Sequence, residues 1–236
     1  MNRSQRRRLR TRASLLAAMR SELSNSSVDD MVVHDVTERA DVALGTFYNH
    51  FDDKSAGVEA LAELEAAMMR RLTLEAVGSS DDLLRWASVV STLLVQRAAA
   101  DPPWIAAIRA LVDAQKWPTP NSTGFLTALL RDSGVDDEGK ISWTVEVFQS
   151  VLRGLIRHLS TDGFDGPLEG RIETAVRTMC GALLVTDDDA TPYVEFCVAI
   201  AVRTDWPDAT VELADDEDFV GELRRTGAVA AGLLES

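Results

Sequence analysis

Apolar residues recur at intervals of three and four along nearly all of the 236-residue chain, and no run alternates apolar and polar long enough to read as a strand. That spacing restricts the chain to an all-α fold. In the first segment Leu9, Ala13, Leu16, Met19 and Leu23 mark one buried stripe of a helix over roughly 4–24. The polar stretch 25–30 reads as a turn. Beyond it, Val33, Val36 and Ala40 give the inner face of a short helix, and a tight connection at Asp41-Val42 leads to a second short helix over roughly 44–50. Two short helices joined by one tight turn predict a helix-turn-helix.

Charge is distributed to match. The net charge is −14, yet Arg3, Arg6, Arg7, Arg8, Arg10, Arg12 and Arg20 fall within the first twenty residues, which hold no acid. One end therefore suits a polyanion while the acidic remainder is repelled by it. Residues 1–21 alone also have the composition of an organellar transit peptide, and the helix-turn-helix that follows decides against that reading. As a secretory signal the apolar stretch 13–19 is too short and runs into Arg20 and Glu22. No apolar run approaches the roughly 20 residues of a membrane-spanning helix, so a cytoplasmic protein without a membrane partner is expected. Cys180 and Cys197 lack metal-ligand spacing and are expected as buried thiols in a reducing compartment.

With Phe47 and Phe51 turned inward, 100° per residue puts Gly45 and Asn49 on the opposite face, flanked by Thr46 and Tyr48. An exposed helical glycine costs about 0.5–1 kcal/mol against alanine, and close approach of another backbone is a reason to keep it. Thr46, Tyr48, Asn49 and His50 offer hydroxyl, phenol, amide and imidazole groups suited to phosphate oxygens and base edges. Lys54 opens the next helix, where a phosphate contact is expected. With Arg8, Arg12, His34 and Leu44, these residues make up the expected DNA-binding set: Arg8, Arg12, His34, Leu44, Gly45, Thr46, Tyr48, Asn49, His50 and Lys54.

Over residues 33–54 the sequence VHDVTERADVALGTFYNHFDDK resembles the DNA-binding domain of the tetracycline-repressor family, whose pattern here is V-x-D-I-A-x-x-A-G-V-S-x-G-T-F-Y-x-H-F-x-x-K. The resemblance implies an N-terminal three-helix helix-turn-helix domain, residues 1–54, and a C-terminal helical domain for effector binding and dimerisation, residues 55–236. It implies a transcription regulator, expected to be a ligand-released repressor that binds a pseudo-palindromic operator in double-stranded DNA as a homodimer. Four positions depart from the pattern. Asp41 replaces the turn glycine and tolerates the left-handed region better than most residues. Ala43 stands where a hydroxyl cap is usual, and the first helix of the motif starts near Val32 in place of a Ser or Thr unless Asp30 caps it. His34 stands where relatives carry Arg or Lys, making a contact there sensitive to histidine protonation.

Past Lys54 the spacing predicts helices over roughly 54–77, 81–100, from 101, 122–132, 140–161, 168–185, 193–202 and 218–234. The resemblance makes 54–77 the link between reading head and body. The stretches Asp136–Gly139 and Asp187–Asp189 are expected as solvated turns, since neither has the order of a calcium loop or a magnesium-diphosphate site. Helix 140–161 carries two apolar stripes, through Val145, Phe148, Leu152, Leu155 and Leu159 and through Trp143, Val147, Val151 and Gly154; 168–185 repeats the trait. One stripe can pack on the chain's own body and the other on a second copy, or both can be core. The family's intersubunit four-helix bundle favours the former, and Phe148, Leu152, Leu155, Val176, Met179 and Leu183 are the expected dimer contacts. Rigid aromatics between helices suit an apolar small effector, which gives Met68, Trp86, Trp104, Phe125 and Trp143 as expected ligand residues with Gln149 or His158 as polar anchor. The acidic segment 203–236 exceeds what the resemblance requires.

No nucleophile triad, HExxH, glycine-rich phosphate loop or metal-ligand spacing is present, and two of the three histidines, His34, His50 and His158, sit in the reading head. No enzymatic activity, cofactor or metal is expected. Two other readings stand beside the regulator: a helical ligand carrier or enzyme with a vestigial DNA-binding domain, and a DNA-organising protein without an effector.

Overall fold

The computed structural model describes residues 3–78, 82–161, 166–183, 187–200, 203 and 205–225. Among the described residues there are helices and no strand, so the protein is all-α. The elements are α1 (Arg3–Leu23), α2 (Val33–Arg39), α3 (Leu44–Tyr48), α4 (Lys54–Val77), α5 (Leu83–Ala100), α6 (Pro102–Asp113), α7 (Pro120–Asp132), α8 (Glu138–Ser160), α9 (Leu168–Ala182), α10 (Asp187–Ala199), α11 (Ala209–Asp215) and α12 (Glu217–Arg225).

Two compact units form, and they do not follow the chain in order. The first gathers Met1–Met68, Ala106–Asn121 and Asp205–Ser236; the second gathers Met69–Ile105 and Ser122–Thr204. The first unit joins α1, α2 and α3 with most of α6 and with the tail helices, and α4 runs without a break from Lys54 to Val77.

In the first unit α1 packs on α2 and on α11, α2 on α3, and α11 on α12. The α1 stripe is real: Leu16, Met19 and Leu23 are buried, together with Leu15, while Leu9 is half-buried. Between the expected helices 193–202 and 218–234 lies α11, whose N-terminus is capped by Asp208 accepting from Thr210 N at 2.8 Å. Leu213, Phe219, Val220 and Leu223 bury the apolar side of the two tail helices. The terminal helix is described to Arg225, and the remainder of the expected 218–234 helix lies outside the described residues.

An ionic anchor ties the tail to α1. Arg20 Nη1 donates to Glu65 Oε1 at 3.0 Å, and both Arg20 amino groups reach the Asp208 carboxylate. Burial alone would raise the Asp208 pKa, but the bonds from Arg20 and Thr210 outweigh it and hold the group at about 2 against an ordinary 3.8.

In the second unit α5 packs on α8, α9 and α10, and α9 packs on α8 and α10. Every residue of α5 from Trp86 to Ala98 is buried. A helix can be surrounded this way because its hydroxyls bond back one turn, Ser91 Oγ to the Ala87 carbonyl and Thr92 Oγ1 to that of Ser88, each at 2.9 Å. Cys180 and Cys197 are buried free thiols, and burial pushes Cys197 up to about 11 and Cys180 in the same direction. The triple aspartate lies in the first turn of α10 rather than in a turn outside it. Asp137 caps α8 by accepting from Gly139 N at 2.9 Å and Lys140 N at 3.1 Å.

The two stripes of α8 are assigned by packing. Ile141, Val145, Phe148, Leu152, Ile156 and Leu159 face the core, whereas Trp143 is 68% exposed. Of the expected dimer contacts, Phe148, Leu152, Val176 and Met179 are buried within the protomer. Leu155 and Leu183 are half-buried.

Two outcomes follow from the first unit. A Cβ at Gly57 would come within 2.9 Å of Met19 Cε and 3.1 Å of Phe47 Cζ, so Gly57→Ala is expected to destabilise by up to about 2 kcal/mol in urea unfolding, overpacking exceeding the helix propensity that alanine gains. The Asp208 pKa is depressed, so the stability it contributes is present above 3.8 and lost as pH falls from there towards about 2. Acid unfolding of Asp208→Asn should show a shallower loss over that window than the unmodified chain.

Candidate nucleic-acid interface

The recognition segment is short and held from behind. α3 closes at Tyr48, earlier than the expected 50, and Asn49, His50 and Phe51 follow as a tight turn whose amides still donate to carbonyls of Gly45, Thr46 and Phe47 at 2.9–3.2 Å. Neither α2 nor α3 has a side-chain cap: Val32 and Ala43 occupy those positions in extended backbone. Asp30 does not substitute, because its carboxylate is taken by Ser27 Oγ at 2.7 Å. The turn between the helices survives without glycine, Asp41 adopting φ 54°.

Phe47 is fully buried and meets Phe51 with ring centroids 5.2 Å apart. On the other side Leu44 and Tyr48 are exposed by 46% and 55%, with Gly45 and Asn49 exposed beside them and Thr46 and His50 half-buried. A Cβ at Gly45 would meet nothing within 4 Å, so nothing described in the protomer requires glycine there. His34 lies on the exposed face of α2, its Nδ1 3.7 Å from Asp35 Oδ1. Donor atoms of His34, Asp35 and Glu38 lie within 4.8 Å of one another and could hold a cation, though such solvated groups commonly stand alone.

Three of the cations expected on DNA have other work. Arg12 is buried: its guanidinium lies 4.2 Å from the Phe51 ring centroid, and Nη1 donates to the His50 carbonyl at 2.5 Å. The sequence carried a signal for this, since Arg12 is in helical phase with Leu16, Met19 and Leu23. Lys54 Nζ donates to the carbonyls of Val28, Asp29 and Met31 at 2.9, 3.0 and 3.1 Å, which uses all three ammonium protons to close the loop before α2. Arg8 is exposed, with Nη2 3.3 Å from the Asn49 carbonyl, and so stays at the edge of the recognition surface. Arg12 and Lys54 are corrected from DNA contacts to supports. Gly57 was missed, because a glycine inside a helix gives no local sign of what crosses it.

The expected ligand residues are only partly brought together. Within the second unit Trp86 lies 5.5 Å from both Phe125 and Phe148 by ring centroid, and Arg70 sits 5.7 Å from Phe125. Next to Phe148, Gln149 Nε2 donates to Thr123 Oγ1 at 2.7 Å. The buried Trp86 Nε1 has no partner among the described residues. Trp104 is buried under Arg97, whose guanidinium is 4.4 Å from its ring. Trp143 and His158 are exposed on α8 and line no interior site, a correction that follows from the inward stripe of that helix. Met68 is buried, at the last position of the first unit. A cleft of about 860 Å³ lies in the first unit, lined by the 24–30 loop, Lys54, Arg109, Asp113 and Lys116. Its lining mixes apolar and charged residues and holds none of the expected ligand residues.

No known protein family matches this sequence, and no curated protein matches it. Among solved structures, the crystal structure of RolR without ligand is similar with a TM-score of 0.46 and 17% identity, covering 82% of this chain and 100% of that one. A likeness this remote carries no functional argument.

Support and surface residues of the motif separate by measurement. Lys54→Met is expected to lower stability by about 1.5–3 kcal/mol through three lost charged hydrogen bonds, whereas Tyr48→Ala should stay within about 0.5 kcal/mol. Equal urea midpoints for the two variants would restore Lys54 to the surface.

Proposed function

We propose that this chain is a DNA-binding transcription regulator of the tetracycline-repressor type, a homodimeric repressor released from a pseudo-palindromic operator by a small effector. The observation that carries this reading is the surface of α3: an exposed phenol, an exposed amide and a glycine open to solvent, backed by fully buried Phe47. A solvated helix without a partner gains nothing from exposing Leu44 and Tyr48, whereas a major groove takes apolar, phenolic and amide contacts together. His34, on the same motif, is a further contact, and Arg8 supports the Asn49 end.

The second copy is assigned to the outward stripe of α8. Trp143 is exposed, Val147 and Val151 are half-buried and Gly154 is open, a combination a lone protomer leaves in water. Half-buried Leu155 and Leu183 extend it. The effector is assigned to the Trp86–Phe125 cluster, where an aromatic molecule carrying a hydrogen-bond acceptor would satisfy the orphaned indole N–H and Gln149 would orient it. Coupling runs along α4, which carries Arg70 beside Phe125 near one end and Gly57 against Met19 and Phe47 near the other. An effector lowers DNA affinity only if it binds the DNA-incompetent arrangement more tightly.

Tyr48→Ala or Asn49→Ala is expected to weaken binding to a selected duplex by roughly 1–3 kcal/mol, about five- to 150-fold, in an anisotropy titration. Unchanged titrations for both would remove α3 from the interface. Trp143→Glu should sediment as a folded monomer that loses specific affinity; a dimer retained at micromolar concentration would place the second copy elsewhere.

A further inference from the structure

We propose that Arg6 and Arg10 form a second phosphate-binding face of α1, which the chain's own acidic C-terminal helices occupy, so that duplex DNA and the α11–α12 junction compete for the same two guanidiniums. The proposal rests on the DNA-binding reading above.

At 100° per residue, Arg6 and Arg10 project from α1 about 160° away from Arg8 and Arg12. The second pair reaches the recognition segment, at the Asn49 and His50 carbonyls. The first pair reaches the tail: Arg6 Nη2 bonds Glu217 Oε1 at 2.5 Å, and Arg10 bonds Asp215 Oδ1 through Nη2 at 2.9 Å and Nε at 3.2 Å. The basic end of the chain thus meets the run Asp215-Asp216-Glu217-Asp218, four consecutive acids.

Burial distinguishes a fixed part of this contact from an exchangeable one. The Arg20 side chain is 18% exposed where it pairs with Asp208 and Glu65, and Leu213, Phe219 and Leu223 are buried beside that anchor. Arg6 and Glu217 are 55% and 49% exposed, and Arg10 and Asp215 are 66% and 58% exposed. Ion pairs this open are weak, and a phosphate oxygen replaces a carboxylate oxygen on a guanidinium with the same fork geometry. The anchored helices can stay docked while the two arginines swing from carboxylate to phosphate. The Arg6 hydrogen bond holds the Glu217 carboxyl below its ordinary range, so the mask remains charged at neutral pH. An acidic strap of this kind weakens binding to all duplexes alike and leaves base reading to α3, so overall affinity falls while the ratio of operator to bulk binding stays the same.

The test uses the full chain with Asp215→Asn and Glu217→Gln together. Both carboxylates are exposed and their amides are isosteric, so the buried anchors are untouched. Affinity for a random-sequence duplex is expected to rise about tenfold at low salt, with the slope of log K against log salt steeper by about 1.8, from two phosphates at about 0.9 each. Adding Arg6→Gln and Arg10→Gln to that background should cancel both gains. If the unmodified chain binds DNA and the acid-to-amide variant matches it in affinity and slope, the mask is wrong and the DNA reading stands. If neither protein binds any duplex, both fall together.

Discussion

The grip on Phe47 is the contact on which the rest depends. α3 is five residues long and has no side-chain cap, and an isolated helix of that length does not persist in water. It exists because Phe47 is fully buried, Phe51 stacks against it, Gly57 lets α4 approach Met19 and Phe47 closely, and Arg12 covers Phe51 from α1. Lys54 then ties the loop before α2 to the start of α4. With its apolar side consumed in this way, α3 has only one face left to show: Leu44, Gly45, Tyr48 and Asn49.

That economy explains why so many cations near the motif already have partners within the protomer. α1 is used on two sides, with Arg8 and Arg12 directed to the recognition segment and Arg6, Arg10 and Arg20 directed to the tail. The tail is then not an appendage. Its buried Leu213, Phe219 and Leu223 and its Asp208 anchor make it part of the same compact unit as α1, α2 and α3.

The helix-turn-helix was legible because its information is local: Phe47 and Phe51 set the inward phase, and Asp41 marks the turn that its φ of 54° then occupies. Charge told less than it promised. A lysine or arginine in sequence announces a cation and not its direction, so Lys54 and Arg12 read as phosphate contacts although one binds three carbonyls and the other a ring. On α8 the double stripe revealed that two faces are apolar, but not which one the body takes, and Phe148 and Trp143 were exchanged in consequence. Trp86, Trp104 and Trp143 did not form one site, because each answers to the phase of its own helix. The pairing of α11 with α1 joins residues some two hundred positions apart, beyond the reach of any local pattern.

The account turns on whether α3 reads DNA as half of a symmetric pair. Selection of bound fragments from a pool of random duplexes tests this most directly. Recovery of an inverted repeat with half-sites centred about 10 bp apart, or a multiple of that helical repeat, is the predicted result. Retained fragments with no shared sequence, or no fragments retained at low salt, would contradict it.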